Sequence, residues 1–285
     1  MTDLAQDWKV MTPAERRRVV RARVLGTDQT IFARIAKRLG MVRRPSPPPA
    51  RRVAARALVL AAVVGRASVE MNLRDTHSES SGPVSDQVLA RLKRLGLTSE
   101  LEPEERAFLS APLGRVDPVL VTNAAWRGEG LAVLAWALNR LALPPYDEPA
   151  FPPDRAQKSV GFENPDVARE LLTSATLRPP AEIERYATTT TVVSWRCRTF
   201  RMYPGPWDLI GYLRSQPSFK ETWLEGLRVV DGDLAVGSQP IASAPAERVQ
   251  ACERIAVERQ TAAYWLEGDG AVYSKVDPTT FLSAC

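Results

Sequence analysis

Charged side chains interrupt the most apolar segments of this chain at five positions: Arg56, Arg127, Glu129, Glu258 and Arg259. Arg127 and Glu129 directly precede an apolar run, and Arg259 falls on the apolar stripe of a second helix-forming segment. A buried charge that loses its partner costs about 3–5 kcal/mol. We therefore predict that these five side chains meet in one polar network between packed helices.

Two kinds of chemistry would suit such a network. An arginine fork can hold a carboxylate or a phosphate, which predicts a pocket for an anionic ligand. Alternatively, the charges neutralise one another and fix the register of the helices, which predicts a closed structural network. Trp126 and Trp265 stand near these charges in the sequence, and we assign them to the same candidate site.

The first quarter of the chain is strongly basic. Residues 1–74 contain 16 Lys and Arg against 5 Asp and Glu, whereas the remaining residues contain 22 Lys and Arg against 28 Asp and Glu. Clustered arginines bind phosphates with a gain from counterion release. The candidate contacts with nucleic acid or another anion are Arg16, Arg17, Arg18, Arg21 and Arg23. The same pattern is also typical of a solvated helical face, or of a face that pairs with the acidic remainder of the chain.

The residue types of most catalytic centres are scarce. The chain has one histidine, His77, in a serine-rich stretch, and it has no HExxH, CxxC, P-loop, GxGxxG or GxSxG pattern. The three cysteines have neither the spacing of a zinc site nor the number for a disulfide framework. Cys197, between Arg196 and Arg198, is either a thiol of lowered pKa or an ordinary half-buried cysteine. We predict no catalytic residue, no metal and no cofactor.

Most of the chain has helical periodicity. Apolar residues recur at helical spacing in segments 53–70, 84–95, 117–143 and 246–267. Residues 188–203 have a strand-like composition, and Asp231-Gly232 predicts a short hairpin around 227–236. We expect a mainly α protein, a multi-helix bundle with at most that one short β-hairpin.

Proline-rich sequence divides the chain into three predicted parts. They are a basic helical arm at 1–44, a Pro-rich linker at 45–50 and a helical domain at 51–285. No apolar run reaches the length of a membrane span, and the N-terminal residues lack the apolar stretch of a secretion signal. These features predict a cytoplasmic protein without a membrane span.

Several pieces of the chain carry a resemblance to a known family. They are Arg56-Ala57-Leu58, RLKRLGLTSELEPEERAFL at 91–109, WRGEGLAVLAWAL at 126–138, LALPPYDEP at 141–149, LRPPAEI at 177–183, DGDLAVG at 231–237 and VERQTAAYWLEG at 257–268. In these pieces the chain resembles the bacterial domain-of-unknown-function 4272 (DUF4272) family, over residues ~50–285. The resemblance implies an all-helical bundle of bacterial origin without an assigned activity, and it implies a helix at 188–203 despite the composition there.

A full-sized core and few catalytic residue types favour a non-catalytic accessory protein that binds another protein. Its surface would combine the basic arm with residues 207–223, where Trp207 and Trp223 lie in a stretch broken by proline and glycine. Packing of these tryptophans onto the bundle is the alternative. Two other functions stay open: an enzyme or receptor that binds an anionic small molecule at the Arg/Glu cluster, and nucleic-acid binding through the arm.

Overall fold

The computed structural model describes residues 46–76, 84–150, 153–216 and 219–277. The predicted basic arm, His77 and Cys285 therefore lie outside the described residues, and the division into arm, linker and helical domain stays a prediction. Residues 46–49 of the predicted linker have no regular secondary structure, and the first described helix begins at Ala50.

Helices make up most of the described residues. In chain order they are α1 (Ala50–Thr76), α2 (Val84–Arg94), α3 (Pro103–Ser110), α4 (Pro118–Ala137), α5 (Pro153–Ser159), α6 (Pro165–Ser174), α7 (Pro180–Met202), α8 (Leu209–Arg214) and α9 (Ala246–Leu266). Three short strands form an antiparallel sheet in the order β1 (Val229–Val230), β2 (Asp233–Val236) and β3 (Gln239–Pro240). The mainly α class is confirmed, and β3 adds a third strand to the predicted hairpin.

Local chemistry explains where several elements begin and turn. Proline occupies the first position of five helices, α3 to α7, where its missing N–H costs nothing. The carboxylate of Asp117 accepts a hydrogen bond from the Val119 N–H at 2.7 Å and so caps α4. Asp231 and Gly232 both have positive φ, 52° and 79°, as the tight turn between β1 and β2 requires.

Helix α7 contradicts the strand-like composition at 188–203. The threonine hydroxyls of this helix find hydrogen-bond acceptors in its own preceding turn. Here Thr188 Oγ1 donates to the Glu184 carbonyl at 2.9 Å, and Thr189 Oγ1 donates to the Arg185 carbonyl at 3.1 Å. The helix is buried along most of its length from 187 to 199, so packing outweighs the local preference of its β-branched residues. The helix implied by the family resemblance is the one found.

The helices stack in an order that brings the charged residues close together. One apolar cluster surrounds α1 and α4, and a second lies between α7, α9 and the small sheet. Helix α4 packs against α1 and also against α9, and α9 packs in turn against α7. Charged residues on α1, α4 and α9 therefore lie in neighbouring layers. Within the described residues, the helices fall short of the length and apolar character needed to cross a membrane.

Candidate functional site

Glu129 of α4 and Arg259 of α9 form a buried ion pair between the two helices. Arg259 Nε donates to Glu129 Oε2 at 2.8 Å, and each side chain is only 1% exposed. The second carboxylate oxygen, Oε1, accepts the Ala150 N–H at 2.8 Å. Both oxygens of Glu129 therefore have partners inside the protein, as a buried carboxylate needs.

Arg259 also binds the loop that follows α4. Its Nη1 donates to the carbonyls of Pro144 at 3.2 Å and Pro145 at 3.0 Å, and its Nη2 donates to the carbonyl of Glu148 at 2.7 Å. With the Nε bond, the guanidinium makes four hydrogen bonds to the protein, out of five N–H groups. Arg259 therefore links α4, α9 and this loop. Its guanidinium keeps no pair of unbound N–H groups with which to bind a ligand carboxylate or phosphate.

A second cluster forms around a residue that the sequence analysis did not select. The buried carboxylate of Glu105 in α3 accepts Arg56 Nη2 and, at 2.9 Å, Arg127 Nη1. Arg56 is fully buried, whereas the Arg127 side chain is 25% exposed. Glu105 Oε2 also accepts the Glu102 N–H at 3.1 Å. Capping alone explains a glutamate in the first turn of a helix, so the sequence did not indicate that Glu105 also binds two arginines.

Glu258 lies near this cluster but not in its hydrogen bonds. Burial raises the pKa of the Glu258 carboxyl, and the nearby guanidinium groups of Arg127 and Arg254 oppose the rise. The predicted single network is thus two groups: the closed pair of Glu129 with Arg259, and the triad of Arg56, Glu105 and Arg127. Glu258 lies within electrostatic reach of both, because Glu129 and Arg127 each affect its pKa.

The two predicted tryptophans occupy different surroundings. Trp126 is half-buried, and the Arg254 guanidinium lies 4.8 Å from its ring centroid. Trp265 is fully buried and meets the ring of Tyr273 edge-on at 5.7 Å. The Arg56 guanidinium lies 5.1 Å from the centroid of that same Tyr273 ring. Trp265 therefore reaches the triad through Tyr273, and its nearest cation is Arg52, at 5.5 Å.

A surface groove of about 750 Å³ opens beside the closed pair. Its walls come from the end of α4, the loop at 142–146, the start of α7 and the Glu225-Gly226 turn, and Arg259 lies at its base. The volume is within the range of small-molecule sites, about 300–1,000 Å³. The groove is thus large enough for a small organic ligand.

Two exposed ion pairs border this groove. Arg178 Nη1 lies 3.1 Å from Glu182 Oε2, and Arg185 Nη1 lies 2.6 Å from Glu225 Oε2. The buried hydroxyl of Tyr186 lies beside the Arg259 guanidinium and has no acceptor for its own proton. Burial raises the pKa of Tyr186 to about 12, so the hydroxyl remains a proton donor at neutral pH.

A smaller groove of about 480 Å³ lies between α3 and α4. Phe108, Val116 and Leu120 contribute apolar walls, and Arg127 of the triad reaches its rim. Val119 and Leu120 are 64% and 55% exposed, which is unusual for two adjacent large apolar side chains.

The Cys197 thiol does not have the lowered pKa that was one of the two predictions for it. It is fully buried, and its contact with Cys252 together with burial raises its pKa. Arg196, the neighbour expected to lower the pKa, donates to both carboxylate oxygens of Asp233 at 2.7 and 2.6 Å. The possibility of a lowered pKa is therefore wrong.

Trp207 packs into the molecule. Its ring lies 5.1 Å from Trp195 and 4.8 Å from Tyr212, and the Arg196 guanidinium is 5.5 Å from its centroid. Trp223 meets the ring of Phe219 edge-on at 5.9 Å. These contacts favour packing over an exposed docking surface at 207–223. The predicted nucleic-acid contacts between 16 and 23 lie outside the described residues, and no three His, Cys, Asp or Glu side chains among the described residues are grouped to hold a metal.

Glu129 and Arg259 each lie in one of the sequence pieces that carried the family resemblance, and the loop after α4 contains a third. The family model described as "Domain of unknown function (DUF4272)" matches residues 37–207, which is more than half of the chain. The match begins inside the predicted arm and ends before the small sheet and α9. No curated protein and no solved structure matches this chain. The chain therefore belongs to the DUF4272 family.

Proposed function

We propose that this protein is a non-catalytic receptor for a small organic anion, which binds in the groove beside Arg259. The observation that carries the proposal is the Tyr186 side chain at the groove wall, whose buried hydroxyl lies beside the Arg259 guanidinium and has no acceptor for its own proton. Leaving a buried polar group unpaired costs about 1–3 kcal/mol. Because solvent does not reach this hydroxyl, a shift of the groove wall would be needed for an oxygen atom of a ligand to supply the missing acceptor.

The rim of the groove supports a negatively charged ligand. Arg178 Nε donates to the Trp136 carbonyl at 2.8 Å, which holds this arginine at the rim. The acidic partners of Arg178 and Arg185 are the solvent-exposed Glu182 and Glu225, and such exposed pairs contribute about 0–1 kcal/mol. Either guanidinium can therefore exchange its glutamate for a ligand carboxylate or phosphate at little cost. Arg259 serves a different purpose here, because its hydrogen bonds hold the base of the groove in place.

The apolar lining of the groove supports an apolar portion of the ligand. Trp136, Leu143 and Pro144 line the groove together with the Tyr186 ring, which lies 4.8 Å from the Trp136 ring. Aromatic and aliphatic walls with a few polar groups are typical of small-molecule sites. The proposed ligand is therefore an organic acid or organic phosphate with an apolar part, rather than a bare inorganic anion.

The chemistry of the groove favours binding over acid–base catalysis. Tyr186, with a pKa raised to about 12, keeps its proton near neutral pH and can donate a hydrogen bond but not act as a base. We also keep the predicted cytoplasmic location and bacterial origin as parts of this proposal.

Thermal unfolding with three probes tests the proposal. Phenyl phosphate and benzoate at millimolar concentration should raise the melting temperature more than inorganic phosphate does, because only the first two have an apolar part. Arg185→Met should reduce this rise, whereas Arg169→Met should keep it, since Arg169 is an exposed arginine outside the groove whose partner is Asp166 of α6. Equal responses to all three probes, or no response, would refute the proposed ligand class.

Protein binding is the second candidate function, and the groove between α3 and α4 favours it. Exposed adjacent apolar residues at Val119 and Leu120 are typical of a surface that a partner covers. The partner would insert apolar side chains between Phe108 and Val116. A partner that copurifies with the native protein and is lost with Val119→Ser and Leu120→Ser would support this function. Retention of the same partner by that double variant would exclude this surface.

A further inference from the structure

The second apolar cluster contains two thiols in direct contact. Cys197 of α7 and Cys252 of α9 are both free and fully buried, and their Sγ atoms are 3.8 Å apart. The residues are 55 positions apart in the sequence, so the contact depends on the packing of the two helices. The sequence has three cysteines in all, and these two are neighbours in space.

The packing of α7 against α9 brings the thiols close to disulfide distance. Thr191 contacts Tyr264 while Cys197 contacts Cys252, so residue numbers run in opposite directions and the helices are antiparallel. A disulfide has an S–S distance of about 2.05 Å, so each sulfur atom would have to move by roughly 0.9 Å. Rotation about the Cα–Cβ bond moves a cysteine sulfur by more than this.

We propose that Cys197 and Cys252 are a modification site: a dithiol that a peroxide oxidises to an intramolecular disulfide. In the first step one cysteine sulfur attacks the O–O bond of hydrogen peroxide, which yields a sulfenic acid and one water molecule. In the second step the other thiol attacks the sulfenic sulfur, the S–S bond forms and a second water molecule leaves. Two thiols are oxidised and one peroxide is reduced, so atoms and electrons balance.

Burial limits both the size of the oxidant that can reach the two thiols and the rate at which they are oxidised. Both thiols are fully buried, so hydrogen peroxide reaches them only when the packing around them opens transiently, and bulky disulfide reagents need a larger opening. Burial and the neighbouring thiol raise the pKa of Cys197, so the reactive thiolate is scarce at neutral pH. Oxidation should therefore be slow in the native protein and faster as the pH rises.

The disulfide would join the two helices close to the groove described above. Cys197 is two helical turns from Thr190, and Cys252 is two turns from Arg259; both of these residues line the groove. The modification itself does not depend on whether the groove binds an anion. Any effect on the groove would be additional to it.

Intact-mass analysis of the folded protein tests this proposal. The Cys285→Ser variant is treated with hydrogen peroxide, unfolded in the presence of iodoacetamide and weighed. We expect most molecules to lose two hydrogens and to take up no alkyl group, with a peptide map that links Cys197 to Cys252. Dithiothreitol should restore two alkylatable thiols, and far-UV circular dichroism should remain native before and after reduction.

Matched variants distinguish a specific disulfide from general oxidation. Cys197→Ala and Cys252→Ala, each in the Cys285→Ser background, should gain oxygen atoms or remain unchanged, but should form no monomeric disulfide. Two alkylatable thiols after prolonged peroxide treatment of the folded Cys285→Ser protein would overturn the proposal. Sulfinic or sulfonic products in place of the crosslinked peptide would also overturn it. Because the Cys285→Ser protein, which keeps both Cys197 and Cys252, provides the decisive mass, poor folding of either alanine variant leaves the test intact.

Discussion

The two charged clusters of this protein use the same residue types in different ways. In the closed pair, Glu129 and Arg259 are each 1% exposed, and their hydrogen bonds end on the protein itself. In the triad, one carboxylate is shared by Arg56 and Arg127, and Arg127 is 25% exposed at the rim of a groove. The first cluster therefore holds elements together, whereas the second has a cation that can exchange its partner.

The comparison shows why an arginine near a groove is not by itself a ligand site. Arg259 lines the larger groove, but its guanidinium is bound to three backbone carbonyls and a carboxylate. Arg178 and Arg185 donate from Nη1 to exposed glutamates, and these are the partners that can be exchanged, while Arg178 Nε stays on the Trp136 carbonyl. Availability of donors decides which arginines can bind a ligand.

The largest effect should follow from breaking the closed pair. Arg259→Met should lower the free energy of unfolding by about 3–5 kcal/mol, because it leaves the Glu129 carboxylate buried without a cation. The loop carbonyls also lose their donor. Urea denaturation of the variant and the parent protein measures the change.

A smaller effect should follow from the matching change in the triad. Arg127→Met should lower the free energy of unfolding by about 1–2 kcal/mol, because Glu105 keeps Arg56 as a partner and Arg127 is already partly hydrated. The same urea denaturation gives the value. A loss as large as that of Arg259→Met would mean that the two clusters do not differ in the way described.

Removal of the Tyr186 hydroxyl should not destabilise the protein. Tyr186→Phe should keep the free energy of unfolding or raise it by up to about 1–3 kcal/mol, because the buried hydroxyl has no acceptor to lose. Affinity for an anion that raises the melting temperature should fall about tenfold, the equivalent of a hydrogen bond to a charged group. Calorimetric titration of parent and variant gives the ratio, and equal affinities would exclude Tyr186 as a ligand contact.

The smallest effect should be a change in pH dependence. The pKa of Glu258 is raised in the folded protein, so the folded state holds this proton to higher pH than the unfolded state does. The parent protein should therefore lose stability as the pH rises from the usual glutamate pKa of 4.5 through the raised value. Glu258→Gln should remove this loss and be at least as stable near neutral pH. Melting temperatures across that window test the sign, and a less stable variant at neutral pH would contradict it.

Apolar periodicity was enough to predict α1, α2, α4 and α9, and the Asp231-Gly232 turn was enough to predict the hairpin. The sequence also placed Glu129 and Arg259 on apolar faces, where each needs an internal partner. It did not reveal Glu105, because a glutamate in the first turn of α3 has a sufficient explanation in capping. It also misjudged 188–203, because burial between packed elements outweighs the preferences of single residues.

Other parts of the site could not be predicted because they depend on how the helices align with one another. The carbonyls that Arg259 binds belong to a loop more than 100 positions away in the sequence. The contact of Cys197 with Cys252 depends in the same way on the alignment of α7 with α9. A single sequence gives the face of each helix but not its axial position against a neighbour.

A double-mutant cycle on Glu129 and Arg259 tests the claim of a closed pair most directly. Glu129→Gln keeps an acceptor for the Ala150 N–H but removes the charge, and Arg259→Met removes the cation. Urea denaturation of the parent, both single variants and the double variant gives the coupling free energy. We predict that the double variant is no less stable than Arg259→Met alone. Losses that simply add would contradict a buried pair in which each charge is held by the other.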